Sequence, residues 1–215
     1  MVNRVFLALG WIFAFPGLAS AASDLSFRVW LDDRAVGRHS FQFVNQQEGI
    51  EVVSSMNMEV KVLFVPVFKY EHNAREIWRG ACLAEISAET SVQGSAFLLE
   101  GRETSEGFSV EVAQDQRSPV STVTGDCVAS YAYWDLARLQ GRTLVNAQTG
   151  QLSGGQVISL GSTPLPQVAR SARQYTLKTE DADIDLWYDK DGQWLALETD
   201  AGGRRLQYLN EAVFE

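Results

Sequence analysis

Between Gln174 and Leu209 the chain reads QYTLKTEDADIDLWYDKDGQWLALETDAGGRRLQYL, and this stretch fits antiparallel β-structure best. Ile184, Leu186 and Tyr188 alternate with Asp183, Asp185 and Trp187, the period of two that marks a strand. Asp189-Lys190-Asp191-Gly192 then supplies turn chemistry, because glycine takes the positive φ of a tight hairpin without steric cost. Trp194 to Thr199 returns, Gly202-Gly203 turns again, and Leu206 to Leu209 forms a last strand. Four strands in one short stretch set the pattern expected of the whole chain.

The pattern recurs from the start. Leu25 to Leu31 answers Ser40 to Asn45 across Asp32-Asp33-Arg34, and Ile50 to Val62 follows with Met56, Met58 and Val60 on one face. Cys82 to Val92, Ala96 to Arg102, Phe108 to Ala113, Leu144 to Asn146, Gln156 to Leu160 and Arg173 to Thr179 read as further strands. The polar stretch Gln114 to Asp126, with Pro119, reads as a long loop, and Ala129 to Leu139 as one short helix. A sheet of that many strands curls or closes to hide its edges. The expected fold is therefore all-β: a large antiparallel meander curled into an incomplete or closed barrel.

Residues 1–21 carry one cation, Arg4, an apolar run from Val5 to Leu18, and the small-x-small sequence Ala19-Ser20-Ala21. That is the form of a cleaved signal peptide, and the run is shorter than the ~20 apolar residues of a spanning helix. The expectation is export to the periplasm as a single β domain over 22–215, with no integral membrane span after cleavage. No cysteine lies near the cleavage point, which argues against lipid attachment there. Cleavage takes the formal charge from −9 to −10, and a surface that acidic with no basic run is a poor partner for nucleic acid. Cys82 and Cys127 are the two cysteines. An even count in an oxidising compartment points to one structural disulfide, two buried thiols or a redox pair being the other readings.

Val60 to Tyr70, VKVLFVPVFKY, is apolar on both faces. A strand buried on both sides explains it, and so does a strand with one face lining an apolar cavity or a partner surface. On the second reading Phe64, Phe68, Tyr70 and Trp78 are the candidate ligand-binding residues. Chemistry is harder to find. His39 and His72 match no metal spacing, and no nucleophile elbow, zinc-protease helix or phosphate loop is present. The acids Asp181, Asp183, Asp185, Asp189 and Asp191 do not match a calcium loop, since the sixth and twelfth positions from Asp181 hold Leu186 and Gly192. The sequence thus assigns no catalytic residue, metal or cofactor.

Tyr70-Glu71-His72 with Glu76 and Trp78, Asn146-Ala147-Gln148-Thr149-Gly150, Trp187-Tyr188-Asp189 before Gly192, and the closing Gly203 to Leu209 together resemble a family of exported bacterial proteins, domain of unknown function 6134. The resemblance spans most of the chain. It implies an antiparallel β fold and brings no catalytic residues. The functional expectation is a non-enzymatic binding or carrier module for an apolar or amphipathic ligand, such as a small molecule or lipid. The alternatives are a structural or assembly partner of another cell-envelope protein, and an enzyme pairing His72 with Glu71 or Glu76 as acid and base. N-terminal sequencing of protein recovered from the periplasm of an exporting host should begin at Ala22; a start at Met1 would overturn the leader assignment.

Overall fold

The computed structural model describes residues 24–62, 65–114, 120–125 and 127–213. The expected leader, 1–21, and Phe64 lie outside them. The chain runs as a meander: β1 Leu25–Leu31, β2 Arg34–Gln46, β3 Gly49–Val62, β4 Val65–Arg79, β5 Cys82–Val92, β6 Ser95–Thr104, β7 Gly107–Gln114 and β8 Val120–Thr124. Three short strands follow, β9 Ala129–Ser130, β10 Thr143–Val145 and β11 Leu152–Gly154. The meander resumes with β12 Gln156–Leu165, β13 Val168–Lys178, β14 Asp183–Tyr188, β15 Trp194–Asp200 and β16 Arg205–Asn210.

Thirteen strands form one sheet in the order β12-β13-β14-β15-β16-β1-β2-β3-β4-β5-β6-β7-β8. Its pairs are antiparallel, and β16 docks on β1, placing the first and last strands side by side at mid-sheet. The outermost strands, β12 and β8, do not pair with each other among the described residues, so the sheet curls without closing. What fills the concave side is the interruption itself. Val128, Ala129, Ala132, Leu139, Leu144 and Val145 are each almost wholly buried. Tyr188 of β14 donates to the Tyr133 carbonyl at 2.6 Å, while a Cβ on Gly150 would run into Val112 of β7. One internal segment thus touches both wings of the sheet, which must wrap around it.

Trp194 anchors the core. It is fully buried, with Phe27 at 4.0 Å, Tyr133 at 5.5 Å and Phe41 at 5.6 Å between ring centroids. A second cluster lies on the other face of β12–β16, where Trp187, Leu195 and Leu209 pack with Leu165 and Ala172. Trp187 follows Leu186 in a strand, so the two point to opposite faces. That explains why the runs Leu186–Tyr188 of β14 and Trp194–Leu197 of β15 are apolar and buried at every position.

The expected disulfide is present: Cys82 at the head of β5 bonds Cys127, just before the internal segment, with the Cα atoms 4.7 Å apart. The backbone bond from Leu83 N–H to the Val128 carbonyl, 2.9 Å, extends this staple.

Three local expectations change. Ala129 to Leu139 is not a helix beyond a 3-10 turn at Leu136–Arg138, whose Asp135 cap accepts from the Ala137 N–H. Tyr131, Tyr133 and Trp134 pack in a curved interior that one helical face cannot serve. Gln114 to Asp126 is not all loop, because the β-branched Val120–Thr124 pairs with β7. Finally, Val60 to Tyr70 is not buried on both sides. The chain reverses between Val62 and Val65, and strand pairing with β2 and β5 stops at Met58 and Tyr70. The hairpin therefore projects past its neighbours, leaving Val65 61% and Val67 48% exposed.

The disulfide closes a sequence separation of 45 residues. Replacing both cysteines by alanine should lower stability by about 4 kcal/mol on the chain-entropy estimate. Urea denaturation reads this directly, and an unchanged midpoint would refute the stapling role.

Candidate functional site

A cavity of about 310 Å³ opens between the concave face of β2–β4 and the internal segment. Its wall is set by register. Phe27 of β1 pairs with His39 of β2, His39 with Met56 of β3, Met56 with His72 of β4, and His72 with Thr90 of β5. Cross-strand partners in an antiparallel sheet share a face, so this row points inward together. The alternation of β4 adds Tyr70, Ala74 and Glu76 to the same wall. Tyr131 and Tyr133 from the internal segment, Ile184 from β14 and Tyr208 from β16 join the lining with Asn146-Ala147-Gln148.

Asn146 builds that last wall. Its Oδ1 accepts from the Gln148 and Thr149 N–H groups, and its carbonyl from the Gly150 N–H. Gly150 has φ 70° and packs against Val112, so a side chain there meets both a backbone and a space penalty. The turn holds Gln148 where its Oε1 accepts from the Tyr70 hydroxyl at 3.3 Å. At the mouth the exposed Asp181 accepts from Gln151 and Ser153 at 3.1 and 3.0 Å.

Both histidines sit inside. His72 Nδ1 lies 2.8 Å from the Thr90 hydroxyl. Neither nitrogen of His39 has a partner, and both are shut off from solvent, with the ring 4.2 Å from that of Phe41. Burial disfavours the imidazolium, pushing His39 down to about 3 and His72 to about 4. The proximity of His72 adds to the shift at His39. Burial likewise lifts the Tyr70 hydroxyl to about 12 and raises Glu76 above the ordinary carboxylate range. Glu76 accepts from Trp78 Nε1 at 2.9 Å and from Ser130, and Arg138 moderates its burial electrostatically.

The acid–base pairing considered for His72 is not formed by this geometry. Glu71 is on the other face of β4 and bonds Lys69 at 2.8 Å. Glu76 shares the face but sits four residues along, ~13 Å between Cα atoms at strand rise. The acidic stretch also divides among separate partners: Asp183 takes Lys178, Asp185 takes the Thr176 hydroxyl, and Asp189 caps its own hairpin. Among the described residues no three His, Cys, Asp or Glu side chains gather as metal ligands would.

Of the four residues marked for ligand binding, Tyr70 lines the cavity. Phe68 is half-buried on the projecting hairpin and does not line it. Trp78 is fully buried in the core, 5.6 Å from Trp134 in a T-shaped contact, with the Arg138 guanidinium 4.7 Å above its ring. The cavity residues His39, Met56, Glu76 and Tyr208 were not marked. The period of two on β4 did contain the signal, since it puts His72 and Glu76 on the face of Tyr70. Nothing in sequence brings β16 or the Asn146 turn to them.

Fold and site together define a β-barrel-like protein, one curled sheet around a disulfide-stapled insert with a polar and aromatic cavity between them. It is similar to the crystal structure of a beta-barrel-like protein of domain of unknown function DUF1849 from Brucella abortus. The two share a TM-score of 0.61 at 11% identity, over 87% of this chain and 94% of that one. The chain belongs to the family described as domain of unknown function (DUF6134), whose signature matches residues 27–210. Among curated proteins no sequence match is found.

Folded-state values below the ordinary 6.5 mean that the unfolded chain binds more protons at both histidines between about pH 6.5 and 4. Their contribution to stability is complete above pH 6.5 and is lost as pH falls through that window; Glu76, raised, acts in the opposite sense. His39→Phe should therefore flatten the decline in stability from pH 7.5 to 5 by up to about 1.4 kcal/mol per pH unit. Parallel urea-midpoint curves for the two proteins would contradict the burial of a neutral His39.

Proposed function

We propose that the protein is a non-enzymatic binding or carrier module of the periplasm, holding an amphipathic small molecule between its sheet and its internal segment. The observation that carries this reading is the 310 Å³ cavity, whose wall combines Phe41, Met56 and Ile184 with polar side chains. Sites for small molecules are concave and largely apolar, with a few fixed polar groups that orient the ligand. The disulfide fits an oxidising, extracytoplasmic compartment. Among the described residues no helix is long and apolar enough to cross a membrane.

His72 and Glu76 are held in the cavity wall by Thr90 and Trp78, where they can serve as fixed polar groups. A second reading, assembly with another cell-envelope protein, draws on the exposed Val65 and Val67 of the projecting hairpin.

Native mass spectrometry of protein recovered from the periplasm without detergent separates the two. The carrier reading expects a defined extra mass extractable into organic solvent, absent from a folded Ala147→Phe variant that fills the cavity. A bare chain in both, or an adduct indifferent to Ala147→Phe, would overturn it.

A further inference from the structure

One carboxylate stands at the mouth of the cavity. Asp181 lies in the turn between β13 and β14, exposed, and forms part of the lining. That turn is ordered: Thr179 Oγ1 accepts from the Asp181 and Ala182 N–H groups at 3.3 and 3.1 Å, and the Thr179 N–H donates to the Ala182 carbonyl at 3.0 Å. Each carboxylate oxygen accepts one hydrogen bond, from Gln151 at 3.1 Å and from Ser153 at 3.0 Å. Both donors are neutral, so they orient the carboxylate without cancelling its charge. Lone pairs remain on each oxygen for a further donor.

The rest of the lining carries the same sign. Among the described residues no Lys or Arg lines the cavity. Its other acid, Glu76, is engaged by Trp78 and Ser130 and lies in the field of Arg138. Burial keeps His39 and His72 neutral, so neither imidazole adds a positive charge near pH 7. Tyr70, Tyr131, Tyr133 and Tyr208 line the cavity with Phe41. Aromatic faces carry negative potential and attract cations. The chain as a whole has a formal charge of −9, which draws cations toward it and repels anions at long range.

Building on the carrier reading, we propose that the cavity takes a cationic amphipathic ligand, an organic ammonium whose head pairs with Asp181 beside the tyrosine rings and whose apolar body packs on Phe41, Met56 and Ile184. Asp181 is the specificity-determining residue. It selects the charge of the head, while the apolar wall serves any ligand of that shape. The same carboxylate ties the β13–β14 turn to the internal segment, so its charge has to be tested apart from its tethering.

Isothermal titration of the disulfide-bonded protein at pH 7.5 and low salt does this with three probes of one shape: 4-butylbenzylammonium, 4-butylbenzyl alcohol and 4-butylbenzoate. The ammonium should bind roughly tenfold more tightly than the alcohol, in keeping with a charge-assisted hydrogen bond and an aromatic face, and the benzoate most weakly. Asp181→Asn keeps the shape of the side chain and an acceptor for the tether. It should weaken the ammonium roughly tenfold and leave the alcohol unchanged. Ala147→Phe should abolish binding of the ammonium. Alcohol or benzoate bound as tightly as the ammonium, a cation preference that survives Asp181→Asn, or equal loss of ammonium and alcohol in that variant would overturn the inference and leave the carrier reading standing. Ammonium binding that persists in Ala147→Phe would place it elsewhere on the acidic surface and overturn the inference as well. Binding of none of the probes by the wild-type protein would also overturn it, with the carrier reading then decided by native mass spectrometry of the periplasmic protein.

Discussion

A curled sheet of thirteen strands has a concave face that water must not fill, and the rest of this structure depends on how that face is covered. The solution is the insert between β8 and β12. Its fully buried Ala129, Leu139, Leu144 and Val145 remove apolar surface that the sheet alone would leave wet. Placement of the insert rests on a few fixed points. The Cys82–Cys127 bond pins its entrance, Arg138 bonds Asp135 and the Gly80 carbonyl, and Tyr188 holds the Tyr133 carbonyl from the far wing. An insert held at both wings also sets the curvature of the sheet, which needs no closing hydrogen bonds between β12 and β8.

The cavity is the remainder of that packing. Where the insert approaches closely, Trp134 meets Phe43 and Trp78 edge-on at 5.3 and 5.6 Å and no space is left. Toward the mouth the insert supplies the small Ala147 and the capped Asn146 turn instead, and a gap opens over the row His39–Met56–His72. Core and cavity are thus two ends of one interface. Substitutions that reposition the insert reach the cavity even when they lie far from it.

The polar groups enclosed there come in two kinds. Glu76 is half-buried and answered, by Trp78, Ser130 and the field of Arg138. His39 is half-buried, and both its ring nitrogens are shut off from solvent without a partner. A satisfied buried group contributes to a single ordered interior, whereas an unsatisfied one costs free energy without structural return. These two residues stand on neighbouring parts of one wall and differ in whether their polar atoms have partners.

Local pattern by itself determined most of the longer strands. Alternation and turn residues place β13 to β16 within a few residues of their ends, and cysteine parity with the expectation of export pointed to the Cys82–Cys127 bond. The period of two on β4 already grouped Tyr70, His72 and Glu76. Tertiary structure decided the rest. Ala129 to Leu139 looked helical because propensity is local, but its aromatic side chains are claimed by opposite wings of the curled sheet. The Val60 to Tyr70 stretch looked buried because it is apolar, yet pairing with β2 and β5 ends before it and leaves Val65 and Val67 in solvent. His39 is the clearest case. Its ring is buried by Tyr208, 169 positions away, and by an insert that meets β2 only through the fold. Side-chain direction follows from the backbone repeat, but burial and hydrogen-bond satisfaction depend on long-range neighbours that no local pattern encodes.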